Sequence, residues 1–119
     1  MQDRHIIAMG GGGFSMEPDN LALDRYVLQH ARRSNPVVCF LPTASGDSDH
    51  YITKFYSAFN SLPCRPSHLP LFNQKPDLEK QIAACDVIYV GGGNTRNKNH
   101  CRRVWRLTTA SPRTLSALN

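Results

Sequence analysis

The segment that most constrains the fold is residues 86–95, in which a short apolar run leads into three consecutive glycines. The run Val87–Val90 contains no polar residue. This is typical of a parallel strand covered on both faces, because a strand with one face in solvent would alternate polar and apolar residues. The glycines at 91–93 carry no Cβ, so their backbone N–H groups can come close to another atom. The segment therefore predicts a buried strand that ends in a turn built for contact.

Strand-like and helix-like segments alternate along the chain. We expect strands at residues 5–9, 37–41 and 87–90, and a short edge-like strand around 67–71. Helices are expected between them: one after Asn20 with an apolar row of Leu23, Val27 and Ala31, one with an apolar stripe over 52–59, and one over 76–84. The pattern predicts an α/β fold, a doubly wound parallel sheet in three layers. After Thr95 the apolar residues follow neither the helical nor the strand periodicity, so we expect the sheet to be truncated after the fourth strand.

Charge divides the 119-residue chain in two. Residues 1–95 carry eight Lys or Arg and nine Asp or Glu, whereas the last 24 residues carry six bases and no acid, so the formal charge of +5 comes from the tail. No recognisable nucleic-acid-binding motif accompanies it, so we do not expect a nucleic-acid partner. We divide the chain into residues 1–97, part of an α/β domain, and a basic, irregular tail at 98–119.

Other features narrow the class of protein. No apolar stretch approaches the length of a membrane span, and the amino terminus does not resemble a signal peptide, so we expect a cytoplasmic protein without a membrane partner. The four cysteines are scattered with no Cys-x-x-Cys, which favours reduced thiols and no metal. The glycines from Gly10 do not complete a dinucleotide-binding fingerprint, since Ser15 stands where the third glycine belongs. We expect no cofactor.

Three segments together suggest a family. Residues 10–16 (GGGGFSM), 39–47 (CFLPTASGD) and 87–97 (VIYVGGGNTRN) coincide with or follow successive strands. From about Ile6 to Asn97 the chain resembles the amino-terminal half of the dipeptidase E family, serine peptidases that include alpha-aspartyl dipeptidases and are related to cyanophycinase. The resemblance implies a fold similar to class I glutamine amidotransferases and short peptides, including aspartyl peptides, as substrates.

The resemblance also implies a site. In this family a serine on a Gly-x-Ser-x-Gly turn is activated by a His that an acidic residue orients, and the glycine turn lies beside that serine. Backbone N–H groups around Gly92 and Gly93 would then stabilise an oxyanion. The implied oxyanion-side and substrate-side loop is Gly91, Gly92, Gly93, Asn94 and Thr95. Further candidates for the rim of the site are Gly12, Gly13, Phe14, Ser15, Thr43, Ala44 and Ser45.

The chain departs from the family pattern in its last part. It contains no Gly-x-Ser-x-Gly, and Thr114 and Leu118 replace the two glycines around the Ser116-Ala117 pair. We therefore expect the nucleophile, His and acid beyond this chain, no catalytic residue within it, and no activity of the chain alone. An uncovered sheet edge is expected to promote self-association. The alternative hypothesis is a small module whose glycine turns hold an anion or nucleotide and whose basic tail binds nucleic acid.

Overall fold

The structure, a computed structural model, describes residues 5–9, 13–31, 34–42, 48–69, 78–92 and 115–118. Within these ranges the strands are β1 (Ile6–Ala8), β2 (Val37–Leu41), β3 (Arg65–His68), β4 (Val87–Val90) and β5 (Leu115–Leu118). The helices are α1 (Ala22–Gln29), α2 (Asp49–Phe59) and α3 (Leu78–Ala83). The strands form one sheet in the order β1-β5-β4-β2-β3, and every neighbouring pair is parallel. The prediction of an α/β fold built on a parallel sheet is confirmed.

The number of strands corrects the sequence analysis, which ended the sheet after the fourth strand. Leu115–Leu118 forms a fifth strand that lies between β1 and β4, with Ser116 paired to Ile6 on one side and to Ile88 on the other. Its four residues include Ser and Ala and show no clear strand pattern of their own. The strand is defined instead by backbone ladders on both sides, a tertiary context that overrides weak local preference.

The side chains of the central strands point alternately to two cores, as the twofold period of a strand requires. One core joins β2 and β4 to α1 and α2 and is built around Val27, Val38, Phe40, Phe55, Phe59, Val87 and Tyr89. The other joins the same strands to α3 and contains Cys39, Leu41, Leu69, Ile82, Cys85, Ile88 and Val90. Helices therefore cover both faces of the sheet, which confirms the three-layer prediction.

Helix α2 follows the predicted stripe. Phe55 and Phe59 are fully buried and Ile52 and Tyr56 are half-buried. The helix begins after Ser48, whose Oγ accepts a hydrogen bond from the Tyr51 N–H at 3.4 Å, a side-chain cap for one of the free amides of the first turn.

Helix α1 departs from its predicted apolar row. Val27 and Leu28 are buried, but Leu23 is 40% exposed and Asp24 is fully buried. The helix is also shorter than predicted, and Asn20 Oδ1 accepts from the Ala22 N–H at 3.2 Å just before it starts. The inward face of α1 thus includes a carboxyl group.

The amino ends of β2 and β4 are held together by one acidic side chain. Asp86 Oδ2 accepts from the Val37 N–H at 2.9 Å, and the Asp86 N–H donates to the Val37 carbonyl at 2.9 Å. At the edge of the sheet, β3 pairs with β2 and contains Pro66, which suits an edge position because proline has no N–H to donate.

No helix in the described part of the chain has the length and apolar character needed to cross a membrane.

Candidate functional site

The carboxyl ends of β2 and β4 lie side by side, because Leu41 pairs with Val90 in the parallel ladder. The chain therefore leaves both strands at the same edge of the sheet, where open α/β sheets bind ligands. Of the predicted site residues, Gly91, Gly92, Gly13, Phe14 and Ser15 are described. Those outside the described residues, for which the site stays a prediction, are Gly12, Thr43, Ala44, Ser45, Gly93, Asn94 and Thr95.

Gly91 lies where side chains from two other elements leave no room for a Cβ. Its N–H donates to the Leu41 carbonyl at 3.1 Å, which continues the ladder between β4 and β2. A Cβ at this position would lie 2.9 Å from Phe40 Cε1, closer than real Cβ contacts allow, and 3.1 Å from Tyr51 Cε2, which is tighter than most real contacts. The close approach predicted for the glycine turn is therefore, at Gly91, an approach to two aromatic rings.

The amide of Gly92 is also engaged within the protein. Its N–H donates to Tyr51 Oη at 3.2 Å, and the residue is half-buried. Tyr51 comes from the first turn of α2, and its ring packs edge-on against Phe40 with centroids 4.9 Å apart. The sequence analysis missed Tyr51. The signal for it is the spacing of Tyr51, Phe55 and Phe59, which puts three aromatic residues on one i, i+4, i+8 row of the helix.

The loop between β1 and α1 reaches the core rather than the surface at Phe14. This side chain is 1% exposed, and its ring centroid lies 5.6–5.7 Å from those of Phe40, Tyr51, Phe55, Phe59 and Tyr89. A side chain in this position offers no surface at a rim, so the structure assigns Phe14 to packing. Its contact with Tyr51 links the loop to the residue that holds Gly92.

Gly13 and Ser15 flank Phe14. Gly13 has a φ of 76°, a backbone conformation that favours glycine. Its carbonyl accepts from the N–H groups of Met16 at 3.2 Å and Glu17 at 2.8 Å, which closes a tight turn. Ser15 is half-buried. The glycine at 13 thus has a conformational reason, and a role for either residue at the rim stays a prediction.

Asp24 is a buried carboxyl group beneath this loop that the sequence analysis did not single out. Its Oδ1 accepts from the Tyr89 hydroxyl at 3.3 Å, and Oδ2 has no hydrogen-bond partner among the described residues. Burial raises the pKa of Asp24 above its ordinary value of 3.8, and the hydrogen bond from Tyr89 opposes only part of that shift. The only sign in the sequence that Asp24 is buried is its position on the same face of α1 as Val27 and Leu28.

The raised pKa of Asp24 predicts a pH dependence of stability. The carboxyl group of Asp24 binds its proton more tightly in the native state than in the unfolded chain, so protonation of Asp24 stabilises the fold. This contribution is complete at pH values below 3.8 and is lost as pH rises through the folded-state pKa. We expect the free energy of unfolding, measured by urea denaturation, to fall over this interval, and to lose this part of its pH dependence in Asp24→Asn. The control is Asp19→Asn, the same substitution at an exposed position, which shows what the loss of one surface carboxylate does by itself. An unaltered pH profile in Asp24→Asn would contradict the assignment.

The larger of two described cavities is at the opposite end of the sheet. It has a volume of about 540 Å³ and lies near the end of α1 and the segments that lead into β2 and β3, with Ala31, Pro36 and Pro63 in its wall. A second cavity of about 230 Å³ lies between α2 and the segment before α1, with Pro18 and Lys54 in its wall. Neither is lined by Gly91, Gly92 or Tyr51. In the described residues, no three His, Cys, Asp or Glu side chains converge as a metal site would require.

Comparison with known proteins gives a consistent family. Residues 6–110 match peptidase family S51. Over 105 residues the chain is 59% identical to the uncharacterized peptidase YgaJ of Bacillus subtilis (strain 168), an alignment that covers 87% of this chain and 46% of the relative. The chain therefore spans less than half the length of that relative. The family match continues beyond residue 97, the boundary set by the sequence analysis, and the division at that boundary stays a prediction.

A solved structure shows the same fold. The chain superposes on a crystal structure of a Listeria monocytogenes EGD-e protein assigned as peptidase E with a TM-score of 0.67 and 19% sequence identity. The superposition covers 95% of this chain and 57% of that one, which agrees with the prediction that only the amino-terminal part of the family fold is present. The resemblance drawn from the three glycine-containing and proline-containing segments is confirmed, and the chain belongs to peptidase family S51.

Proposed function

We propose that the chain is the amino-terminal part of a serine-type peptidase of the dipeptidase E type that hydrolyses short peptides, with amino-terminal aspartyl dipeptides as the first substrates to test. The nucleophile, its His and the orienting acid belong to sequence beyond this chain. The observation that carries the proposal is the end of β4, where Gly91 lies against β2 and Gly92 against Tyr51 of α2, in a member of family S51. The chain contributes one wall of the site.

The position of Ser116 supports the view that this chain does not supply the nucleophile. In a nucleophile turn the serine follows the strand and stands on a sharp strand-to-helix bend. Ser116 is instead the second residue of β5 and pairs with Ile88 and Ile6 in the middle of the sheet. A serine within a ladder that is paired on both sides does not have the backbone of such a bend.

The proposal predicts that the purified chain does not hydrolyse aspartyl dipeptides. We expect a chimera to hydrolyse them and to be inactivated by a serine-directed reagent. In this chimera, residues 1–97 are followed by the part of the Bacillus subtilis relative that lies beyond the position aligned with residue 97. Release of free aspartate, measured by chromatography, reports both results. The unaltered relative, assayed in parallel, is the positive control for the substrate.

Two outcomes would contradict the proposal. Turnover by the 119-residue chain that disappears in Ser116→Ala would show that this serine is the nucleophile after all. A chimera that folds but has no activity on substrates that the relative hydrolyses would show that this chain does not form a working wall. The basic residues of the tail lie outside the described residues, so nucleic-acid binding by the tail stays a hypothesis.

A further inference from the structure

The side chain of Tyr51 is fixed in place at the end of β4. Its backbone N–H is capped by Ser48 at the start of α2. Its ring packs against the rings of Phe40 and Phe14, with centroids 4.9 Å and 5.6 Å away, and lies against Gly91. Because both neighbouring rings are fully buried, the phenol has little freedom to turn away. Tyr51 itself is half-buried, so it lies between the core and the edge of the sheet.

The direction of the hydrogen bond to Gly92 decides what the phenol offers. An amide N–H can only donate, so Tyr51 Oη is the acceptor at 3.2 Å and keeps its own proton to donate elsewhere. In the hydrogen bond described for this hydroxyl, its oxygen accepts and its proton is not used. The amide of Gly91 donates to Leu41. The N–H groups of Gly91 and Gly92 are therefore both hydrogen-bonded within the protein, although both lie where the family resemblance implies an oxygen-binding wall.

We propose that the hydroxyl proton of Tyr51, rather than the amide of Gly92, is the hydrogen-bond donor that the end of β4 presents to a carbonyl or carboxylate oxygen of a bound peptide. This inference rests on the proposed function. The Gly92 N–H polarises the phenol by donating to its oxygen, and two hydrogen bonds in series strengthen each other. No covalent bond forms or breaks at Tyr51. Its role is to bind and orient the substrate oxygen.

A purely structural role for Tyr51 would also explain its bond to Gly92, so the test follows the hydroxyl proton. The wild-type chain is labelled with tyrosine carrying ¹³C at the ζ carbon and dissolved in equal parts of H₂O and D₂O. A hydroxyl that exchanges rapidly gives one averaged ζ-carbon resonance, and one that exchanges slowly gives two. We expect one resonance for Tyr51, assigned by its disappearance in Tyr51→Phe.

Tyr89 is the internal comparison in the same spectrum. Its hydroxyl donates to Asp24 Oδ1 at 3.3 Å in the core, and the side chain is fully buried, so two resonances are expected. Two resonances for Tyr51 as well would show that its proton is held within the protein, and this would overturn the proposal. The measurement needs only the wild-type chain to be folded.

Binding gives the second readout. We titrate the chain with the dipeptide aspartyl-alanine and follow the ζ-carbon resonance of Tyr51, which is expected to move saturably. Removal of one hydroxyl donor in Tyr51→Phe is expected to raise the Kd about tenfold, the effect of a single hydrogen bond. The matched control is Tyr26→Phe. Tyr26 is 50% exposed on α1, so its substitution is expected to leave the Kd unchanged.

The possible results separate the two proposals. Equal affinity of the wild-type chain and Tyr51→Phe for the dipeptide would overturn the role of Tyr51 and leave the proposed function standing. Failure of the wild-type chain to bind the dipeptide would count against the proposed substrate class. The role of Tyr51 as a donor would then be decided by the hydroxyl exchange measurement, in which slow exchange refutes it.

Discussion

Replacement of Phe14 with alanine is expected to lower the free energy of unfolding by about 3–5 kcal/mol, the usual range for a buried phenylalanine. The ring is 1% exposed and contacts five other aromatic rings from β2, α2 and β4. Its removal leaves a cavity that these rings cannot fill, because they also pack on one another. Urea denaturation followed by circular dichroism measures the change.

The control for Phe14 is a neighbour in the same loop. Met16 is 70% exposed, so Met16→Ala should change the free energy of unfolding by less than about 0.5 kcal/mol. If Phe14→Ala costs no more than Met16→Ala, the loop between β1 and α1 does not close the core, and the assignment of Phe14 to packing is wrong.

Replacement of Gly91 with alanine is expected to destabilise the chain by about 1–3 kcal/mol, the range for overpacking a filled site. The added Cβ would lie 2.9 Å from Phe40 Cε1, and the Phe40 ring cannot move away easily because it stacks on Phe55 with centroids 4.6 Å apart. The amide resonance of Gly92 should also shift, since the same methyl group pushes on the Tyr51 ring. Denaturation and amide spectra give the two readouts.

A double-mutant cycle tests the physical cause of the Gly91 effect. Phe40→Leu shortens the side chain that the new methyl group meets, so the double variant should be less destabilised than the sum of the two single variants. Strict additivity would show that Phe40 is not the obstacle. A backbone requirement at Gly91 would then be the better explanation.

The sequence predicted the parts of the fold that local pattern determines. β2 and β4 are continuous apolar runs that need burial on both faces, and the stripe of α2 needs one buried face, so their positions follow from residue order alone. β5 does not. Leu115–Leu118 is a strand because β1 and β4 supply ladders on its two sides, and neither partner is near it in sequence.

The close approach at Gly91 was predictable from the sequence, but the atoms that it brings together were not. The sequence shows that Gly91 lacks a Cβ, but it does not show which atoms fill the space, because Phe40 and Tyr51 come from other elements. Asp24 was missed for the same reason. A carboxyl group on a helix is ordinarily taken as exposed, and its partner Tyr89 lies 65 positions further along the chain.

The position of β5 has a consequence for the order in which the chain folds. Within the described part of the chain, β1 pairs with β5 alone, and Ile6 meets Ser116 after 110 intervening steps along the backbone. Among the described strands, β1 therefore has no ladder to join until β5 has been synthesised. Contacts of such long sequence separation form slowly, because the entropy of closing the loop must be overcome first. During synthesis β2, β3 and β4 can assemble with their helices, while β1 stays unpaired until β5 has emerged.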